Sequence, residues 1–232
     1  MTNSATLRSK IGLARSTLDT VAETLWSHPE LKTVYPEFLF QNHAVIRASV
    51  PLMRTALAAC RSRFPSDPLT PGLASYLEQH IPEEMHHDDW ILEDLEALGF
   101  ARAETLARIP PVSASLLVGA QYYWIEHVHP VALLGYIAVL EGTPPDADYF
   151  ARLLRSAGIP ETAATNIFRH ARLDPRHRDD LDAALDSLPL TEYHHSLLGI
   201  SAFQTIEALA RVAEEAYLFA DETTSTESAG VL

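Results

Sequence analysis

Cysteine is almost missing from this sequence, in which Cys60 is the single one among 232 residues. One cysteine excludes an internal disulfide and every metal site built from several thiolates. Any metal site must therefore use histidine, aspartate and glutamate, and these ligands favour iron, manganese or zinc. The lack of disulfides also fits a reducing compartment, so we expect a cytoplasmic location.

Positive charge is scarce as well, since 17 Lys and Arg stand against 31 Asp and Glu, for a formal net charge of −14. Nucleic acids and anionic membrane surfaces bind basic faces, so neither is expected as a partner. No uninterrupted apolar run approaches the ~20 residues that cross a bilayer. The N-terminal segment MTNSATLRSKIGLAR is too polar for the apolar region of a signal peptide.

Signals for β-structure, such as alternating β-branched runs and Asn-Gly turns, are nearly absent. Helical periodicity recurs instead and predicts seven helices, with bends or restarts at Pro51, Pro82 and Pro130. Their approximate ranges are residues 5–26, 36–63, 69–98, 112–141, 146–157, 161–188 and 191–220. Because no long linker divides them, we predict one all-α domain over residues 1–220, followed by a disordered polar tail at 221–232.

The chain has 11 histidines, and one short stretch has the spacing of a metal site. In a helix with ~100° per residue, His170, Asp174 and His177 lie within about 60° of one face. Two imidazoles and a carboxylate on one face form half of a site for iron or manganese. Two alternatives need no metal: Asp174 followed by Pro175 fits an ordinary helix N-cap, and His177 among charged neighbours fits a solvated face.

A second candidate is a Glu-x-x-His pair, of which the chain contains four. We favour Glu84 with His87 because His80 lies seven residues before His87 and because Trp90 marks a helix packed against the core. Glu83 is an alternative to Glu84, since a four-residue spacing to His87 also fits a helix. We expect His80 itself to be a core or neighbouring histidine rather than a ligand.

A third candidate is Glu141, which follows a long apolar segment. It is either a surface residue just past the core or a buried acid with a partner, and the sequence does not separate these alternatives. The complete candidate set supplies three carboxylates and three imidazoles, an inventory that suits two iron ions. Its members are Glu84, His87, Glu141, His170, Asp174 and His177.

In their order along the chain, these residues resemble the ligand pattern of the heme-oxygenase-like diiron oxidases, which are iron-containing redox enzymes. The resemblance extends from about Tyr76 to Ala213. It implies a seven-helix heme-oxygenase-like bundle, usually a homodimer, in which two non-heme Fe²⁺ ions activate O2 as a co-substrate. It further implies a small organic substrate (an amino acid, an amine or a fatty-acid-like molecule), a role in natural-product biosynthesis, and an external electron donor such as a reductase or a ferredoxin.

Our hypothesis divides the six ligands between two irons, with one carboxylate bridging. Glu84, His87 and His170 hold one ion, and Glu141, Asp174 and His177 hold the other. The aromatic candidates for lining a substrate cavity are Tyr122, Tyr123, Trp124 and Tyr136. Some relatives carry a further glutamate on the preceding helix that favours N-oxygenation. Residues 41–63 contain no acid, so oxygenation of an amine nitrogen is the less expected outcome.

Three other functions fit the same fold class. A metal-free hydrolase like thiaminase II needs Cys60 as its nucleophile, although the sequence around it does not suggest strong activation. A heme-binding protein needs an axial histidine near the N-terminal helix, for which His28 and His43 are available. A non-catalytic helical interaction module needs neither a nucleophilic cysteine nor an axial histidine. Only the diiron oxidase accounts for the six-residue set.

Overall fold

A computed structural model describes the backbone of residues 1–229 and the side chains of residues 1–219. The all-α prediction is confirmed, because this part of the chain forms twelve α-helices, two short 3₁₀ turns and no strand. The helices are α1 (Asn3–Ala14), α2 (Ser16–Trp26), α3 (Leu31–Ile46), α4 (Ser49–Ser62), α5 (Thr70–Glu84), α6 (His87–Ala97), α7 (Arg102–Ala107), α8 (Val112–His127), α9 (Leu133–Leu140), α10 (Ala147–Ser156), α11 (Thr165–Ser187) and α12 (Glu192–Ala229).

The number of helices exceeds the predicted seven because four of the predicted helices are each divided in two. The pairs are α1 with α2, α3 with α4, α5 with α6, and α8 with α9. The short helix α7 was not predicted. The break expected at Pro130 is present, whereas α5 continues through Pro82 and ends at Glu84. Pro51 lies in the first turn of α4, where a missing backbone N–H costs little.

Helix α11 is continuous through Pro175, so the interpretation of Asp174 as a helix N-cap is wrong. Proline removes a donor to the carbonyl four residues earlier, which here belongs to Ala171. Because Pro175 is exposed and Ala171 only half-buried, water can satisfy that carbonyl and the helix persists.

The last helix extends beyond its predicted end, since α12 continues to Ala229 instead of stopping near Ala220. The final three residues of the predicted disordered tail, 230–232, lie outside the described residues. Among the helices that the structure describes, none combines the length and hydropathy that a membrane span requires.

The apolar core has two main parts. The larger is formed by side chains of α1, α4, α5, α8, α9 and α12 and by the C-terminal parts of α3 and α11; the smaller is formed by side chains of α3, α6, α10 and the N-terminal part of α11. Ile137 of α9 belongs to the first part and Ile167 of α11 to the second, and both line the same internal cavity. The sequence-predicted ligands lie along this seam, the boundary between the two parts of the core.

Close packing of α9 on α12 requires a glycine at position 135. A Cβ atom there would lie 2.5 Å from the backbone oxygen of Leu198, a contact that neither backbone can relieve without moving. We therefore expect Gly135→Ala to destabilise the protein by about 1–3 kcal/mol.

Gly119→Ala is the matched control, because a Cβ in this part of α8 meets no atom within 4 Å. It should stabilise the helix by about 0.5–1 kcal/mol. Urea unfolding of both variants measures the two effects. Equal stability changes at the two positions would contradict the proposed close contact.

Candidate metal centre

The break between α5 and α6 brings Glu84 and His87 together. Glu84 is the last residue of α5, His87 the first of α6, and His86 between them has a left-handed backbone with φ of 73°. Nδ1 of His87 lies 3.1 Å from Oε2 of Glu84. The two side chains are neighbours as expected, but through a helix break instead of regular helical spacing.

Helix α11 directs His170, Asp174 and His177 to one side. Asp174 and His177 are buried, and His170 is partly buried. The Nδ1–H of His170 donates to the carbonyl of Asn166 over 2.9 Å, which leaves its Nε2 lone pair free for a ligand. Nδ1 of His177 lies 3.4 Å from Oε1 of Glu84, so α11 faces the α5–α6 break.

Glu141 directly follows α9, and its side chain is 12% exposed. Of the two alternatives for this residue, the structure therefore supports the buried acid with a partner. That partner is His80, whose Nε2 donates to Oε1 of Glu141 over 2.9 Å. Glu83, the alternative to Glu84, faces outward instead and pairs with Arg176.

These contacts gather all six sequence-predicted residues, together with His80, into one cluster. Potential ligand atoms of His80, Glu84, Glu141 and His177 lie within 4.8 Å of one another. The His87 ring is adjacent, with its centroid 5.1 Å from that of His170. Asp174 belongs to the same region, because it lines one cavity together with Glu84, Glu141 and His170.

Unsatisfied polar atoms are concentrated in this cluster. Buried polar atoms are normally hydrogen-bonded, so several orphans in one place point to a missing partner. Five of the six predicted ligands have an atom that makes no hydrogen bond: Oε1 of Glu84, Nδ1 of His87, Oε2 of Glu141, Oδ1 of Asp174 and Nδ1 of His177. The contacts of Glu84 with His87 and His177 are close in distance but lack the geometry of a hydrogen bond. Carboxylate oxygens and imidazole nitrogens suit iron, and the residues present therefore fit the metal that the sequence predicts.

The electrostatics of the cluster show a shortage of positive charge. Burial, with the charges of Glu141 and Glu84, raises the pKa of Asp174 to about 8. For His80, burial alone would lower the pKa, but the hydrogen bond that His80 donates to Glu141 and the surrounding carboxylates raise it to about 9. Without a cation, the cluster is therefore neutralised by protons.

A cavity of about 800 Å³ adjoins the cluster and is lined mainly by apolar side chains. Glu84, His170 and Asp174 form part of its wall. Tyr136 lines it as predicted. The other three aromatic predictions are wrong: Tyr123 is 56% exposed, the Trp124 indole donates to Gln204, and Tyr122 packs against the core elsewhere. Their helix, α8, turns that face away from the cavity.

Residues 39–208 match the sequence model of a family described as iron-containing redox enzymes. The chain belongs to this family. No curated protein sequence matches it significantly.

Solved structures that align over most of the chain show that it has the heme oxygenase-like fold. A domain of unknown function from Shewanella denitrificans has 16% identity and a TM-score of 0.75, over 96% of this chain and 92% of its own. A TenA homologue from Pseudomonas syringae has 13% identity and a TM-score of 0.69, over 91% of each chain. Heme oxygenase from Leptospira interrogans has 17% identity and a TM-score of 0.64, over 93% of this chain and 100% of its own. At these identities the similarity shows the fold alone.

The alternative chemistries for this iron-containing redox enzyme lack suitable residues. Cys60 is fully buried, and burial raises the pKa of its thiol to about 11, so it is not an activated nucleophile. Neither His28 nor His43 belongs to the described lining of the cavity, where an axial heme ligand would be needed.

A second group of potential ligands, Asp67, His129 and His194, lies elsewhere in the fold. Nδ1 of His129 accepts from the backbone N–H of Val131, and Nδ1 of His194 accepts from that of Thr191. In both neutral rings the proton therefore sits on Nε2, the nitrogen that would have to bind an ion. This group is a poorer metal site than the cluster around Glu84.

The raised pKa values predict how the metal-free protein responds to pH. Protonated His80 stabilises the fold fully below pH 6.5, its ordinary pKa, and this stabilisation is lost as the pH rises through about 9. The buried Asp174 carboxyl lowers the free energy of unfolding progressively as the pH rises from 3.8, its ordinary pKa, to about 8. Between pH 7 and 9 both contributions fall, by about 1–2 kcal/mol each. Urea unfolding in EDTA at the two pH values measures the loss.

Asp174→Asn should remove roughly half of this pH dependence. Asp179→Asn, an exposed position on the same helix, should leave it unchanged. If the free energy of unfolding falls equally between pH 7 and 9 in the wild type and in Asp174→Asn, Asp174 ionises normally.

Proposed function

We propose that this member of the iron-containing redox enzymes is a non-heme diiron oxidase or oxygenase that uses O2 to oxidise a small, largely apolar organic molecule. The observation that carries the proposal is the buried cluster of three carboxylates and three imidazoles, in which five atoms make no hydrogen bond. A buried polar cluster is costly unless its members are paired, and two cations would pair them.

Glu84 is suited to bridge the two ions. Its Oε2 faces His87 and its Oε1 faces His177, at 3.1 and 3.4 Å. We therefore assign Glu84, His87 and His170 to one ion, and Glu141, Asp174 and His177 to the other, with Glu84 shared. Three carboxylates then balance most of the charge of two Fe²⁺ ions.

Two Fe²⁺ ions bound in this centre would supply two of the four electrons for the full reduction of O2, and the substrate or an external donor would supply the other two. The protein's own residues hold and orient the ligands: Asn166 fixes the ring of His170, and Trp90 packs on His87 with centroids 3.9 Å apart. The adjoining, mainly apolar cavity would hold the substrate against the wall formed by Glu84, His170 and Asp174. An external electron donor, a homodimer, a biosynthetic role and a cytoplasmic location stay predictions.

The first test is the iron content after anaerobic loading with Fe²⁺ and desalting. We expect about two irons per chain in the wild type, about one in His177→Ala, and almost none in Glu84→Ala, because Glu84 is shared by both ions. Elemental analysis gives these values directly.

His86→Asn is the control, since His86 is exposed beside the cluster and asparagine tolerates its left-handed backbone. It should retain the wild-type iron content. Less than about one iron in the wild type, unchanged in His170→Ala and His177→Ala, would refute a diiron centre.

The second test separates substrate binding from iron binding. Leu209 of α12 lines the cavity and is half-buried, so Leu209→Trp should narrow the cavity without touching a ligand. Iron content should be unchanged. Oxygen consumption with the best of a panel of straight-chain carboxylates, amines and amino acids should fall roughly tenfold or more, the equivalent of about 1.4 kcal/mol.

Leu218→Trp, at an exposed position on α12, controls for the added indole and should consume oxygen normally. If both tryptophan variants behave like the wild type, the substrate does not bind in this cavity.

A further inference from the structure

His80 lies inside the cluster, although the sequence predicts a neighbouring histidine and not a ligand. Its side chain is 2% exposed, and its Nε2 faces Oε1 of Glu141. With Glu84, Glu141 and His177 it forms the group whose potential ligand atoms lie within 4.8 Å of one another. Bonds of ~2.0–2.2 Å separate two ligands of one ion by at most about 4.4 Å, so the group is close to coordination size.

The second ring nitrogen of His80 has the partner that metal-binding histidines usually have. Nδ1 lies 3.5 Å from Oε2 of Glu83, and Glu83 is itself paired with Arg176 of α11. In the ion-free protein Nε2 donates to Glu141. If an ion displaced that proton, the carboxylate of Glu83 beside Nδ1 would hold the remaining proton there, and the Nε2 lone pair would face the ion. The ring of Tyr76, stacked 5.2 Å from His80, restricts its rotation.

We propose that His80 is a fourth imidazole ligand, which binds the ion held by Glu84, Glu141 and His177. The inference rests on the proposed metal centre and adds a ligand to it. Together with Asp174, which was assigned to the same ion above, the ion would then be held by two imidazoles and three carboxylates that come from α5, from the end of α9 and from α11. Glu83 is a positioning residue, because it orients His80 without touching the ion.

The test uses Co²⁺ as the probe and counts ligating histidines in the folded wild-type protein. In a high-spin Co²⁺ site, the NMR signal of the ring N–H proton of each ligating imidazole shifts far outside the normal chemical-shift range. The signal disappears in D2O because the proton exchanges with solvent. We expect four such signals in the wild type. This measurement needs no variant and no enzymatic activity.

Variants then assign the fourth signal. His80→Gln should show three signals and bind the second Co²⁺ about 10–100-fold more weakly. Glu83→Gln should retain four, with only the His80 proton exchanging faster with solvent. His43→Gln removes an equally buried histidine outside the cluster and should retain four signals.

The outcomes separate this inference from the proposed function. Three signals in the wild type, unchanged in His80→Gln, would mean that His80 only hydrogen-bonds to Glu141; the diiron centre would stand and the inference would fail. Binding of Co²⁺ without any shifted imidazole signal would refute the metal centre and the inference together.

Discussion

The structure depends on how three buried carboxylates are neutralised. Removing an ionised carboxylate from water costs several kcal/mol unless a partner compensates. Glu84, Glu141 and Asp174 share one desolvated cluster, and Glu141 also lies at the C-terminal end of α9, where the helix dipole disfavours negative charge. Protons and imidazoles compensate them in the ion-free protein, and cations would do so more completely.

The helices are arranged so that this cluster stays at the seam between the two parts of the core. One contact fixes α11 to α6: the buried Asp94 accepts from the backbone N–H groups of Thr165 and Asn166, over 2.7 and 3.0 Å. The N-terminus of α11 is thus capped by a side chain of another helix. Since α6 begins with His87 and α11 carries His170, the same contact holds these two imidazoles in position.

Much of this could be predicted from the sequence, because helical periodicity and the spacing of acids and histidines are local properties. The all-α fold follows from periodicity, and the spacing in α11 correctly places three side chains on one face. The pairing of Glu84 with His87 was expected for the wrong reason. A left-handed His86 breaks the helix there, and nothing in the local sequence signals such a conformation at a residue other than glycine.

Tertiary packing accounts for the other differences. The consequence of Pro175 depends on whether the carbonyl it leaves free can reach water, which sequence does not reveal. The orientation of α8 decides that Tyr123 faces solvent, although its composition resembles a cavity wall. For His80, the spacing to Glu84 and His87 was visible, but its contacts with Glu83 and Glu141 exist only in the folded chain.

Because α11 is continuous through Pro175, no local break there loosens the three side chains that the helix carries into the cluster. Charge distinguishes them instead: Asp174 needs the most work to ionise, because burial and two neighbouring carboxylates hold its pKa near 8. An ion that recruited Asp174 would have to supply that work from its own binding energy, so in the proposed centre the ion assigned to Asp174 would be bound less tightly near neutral pH. The same desolvation would strengthen the attraction of the cluster to a cation. Weaker binding of one ion and a strong overall attraction to cations would thus both follow from burying the same carboxylates.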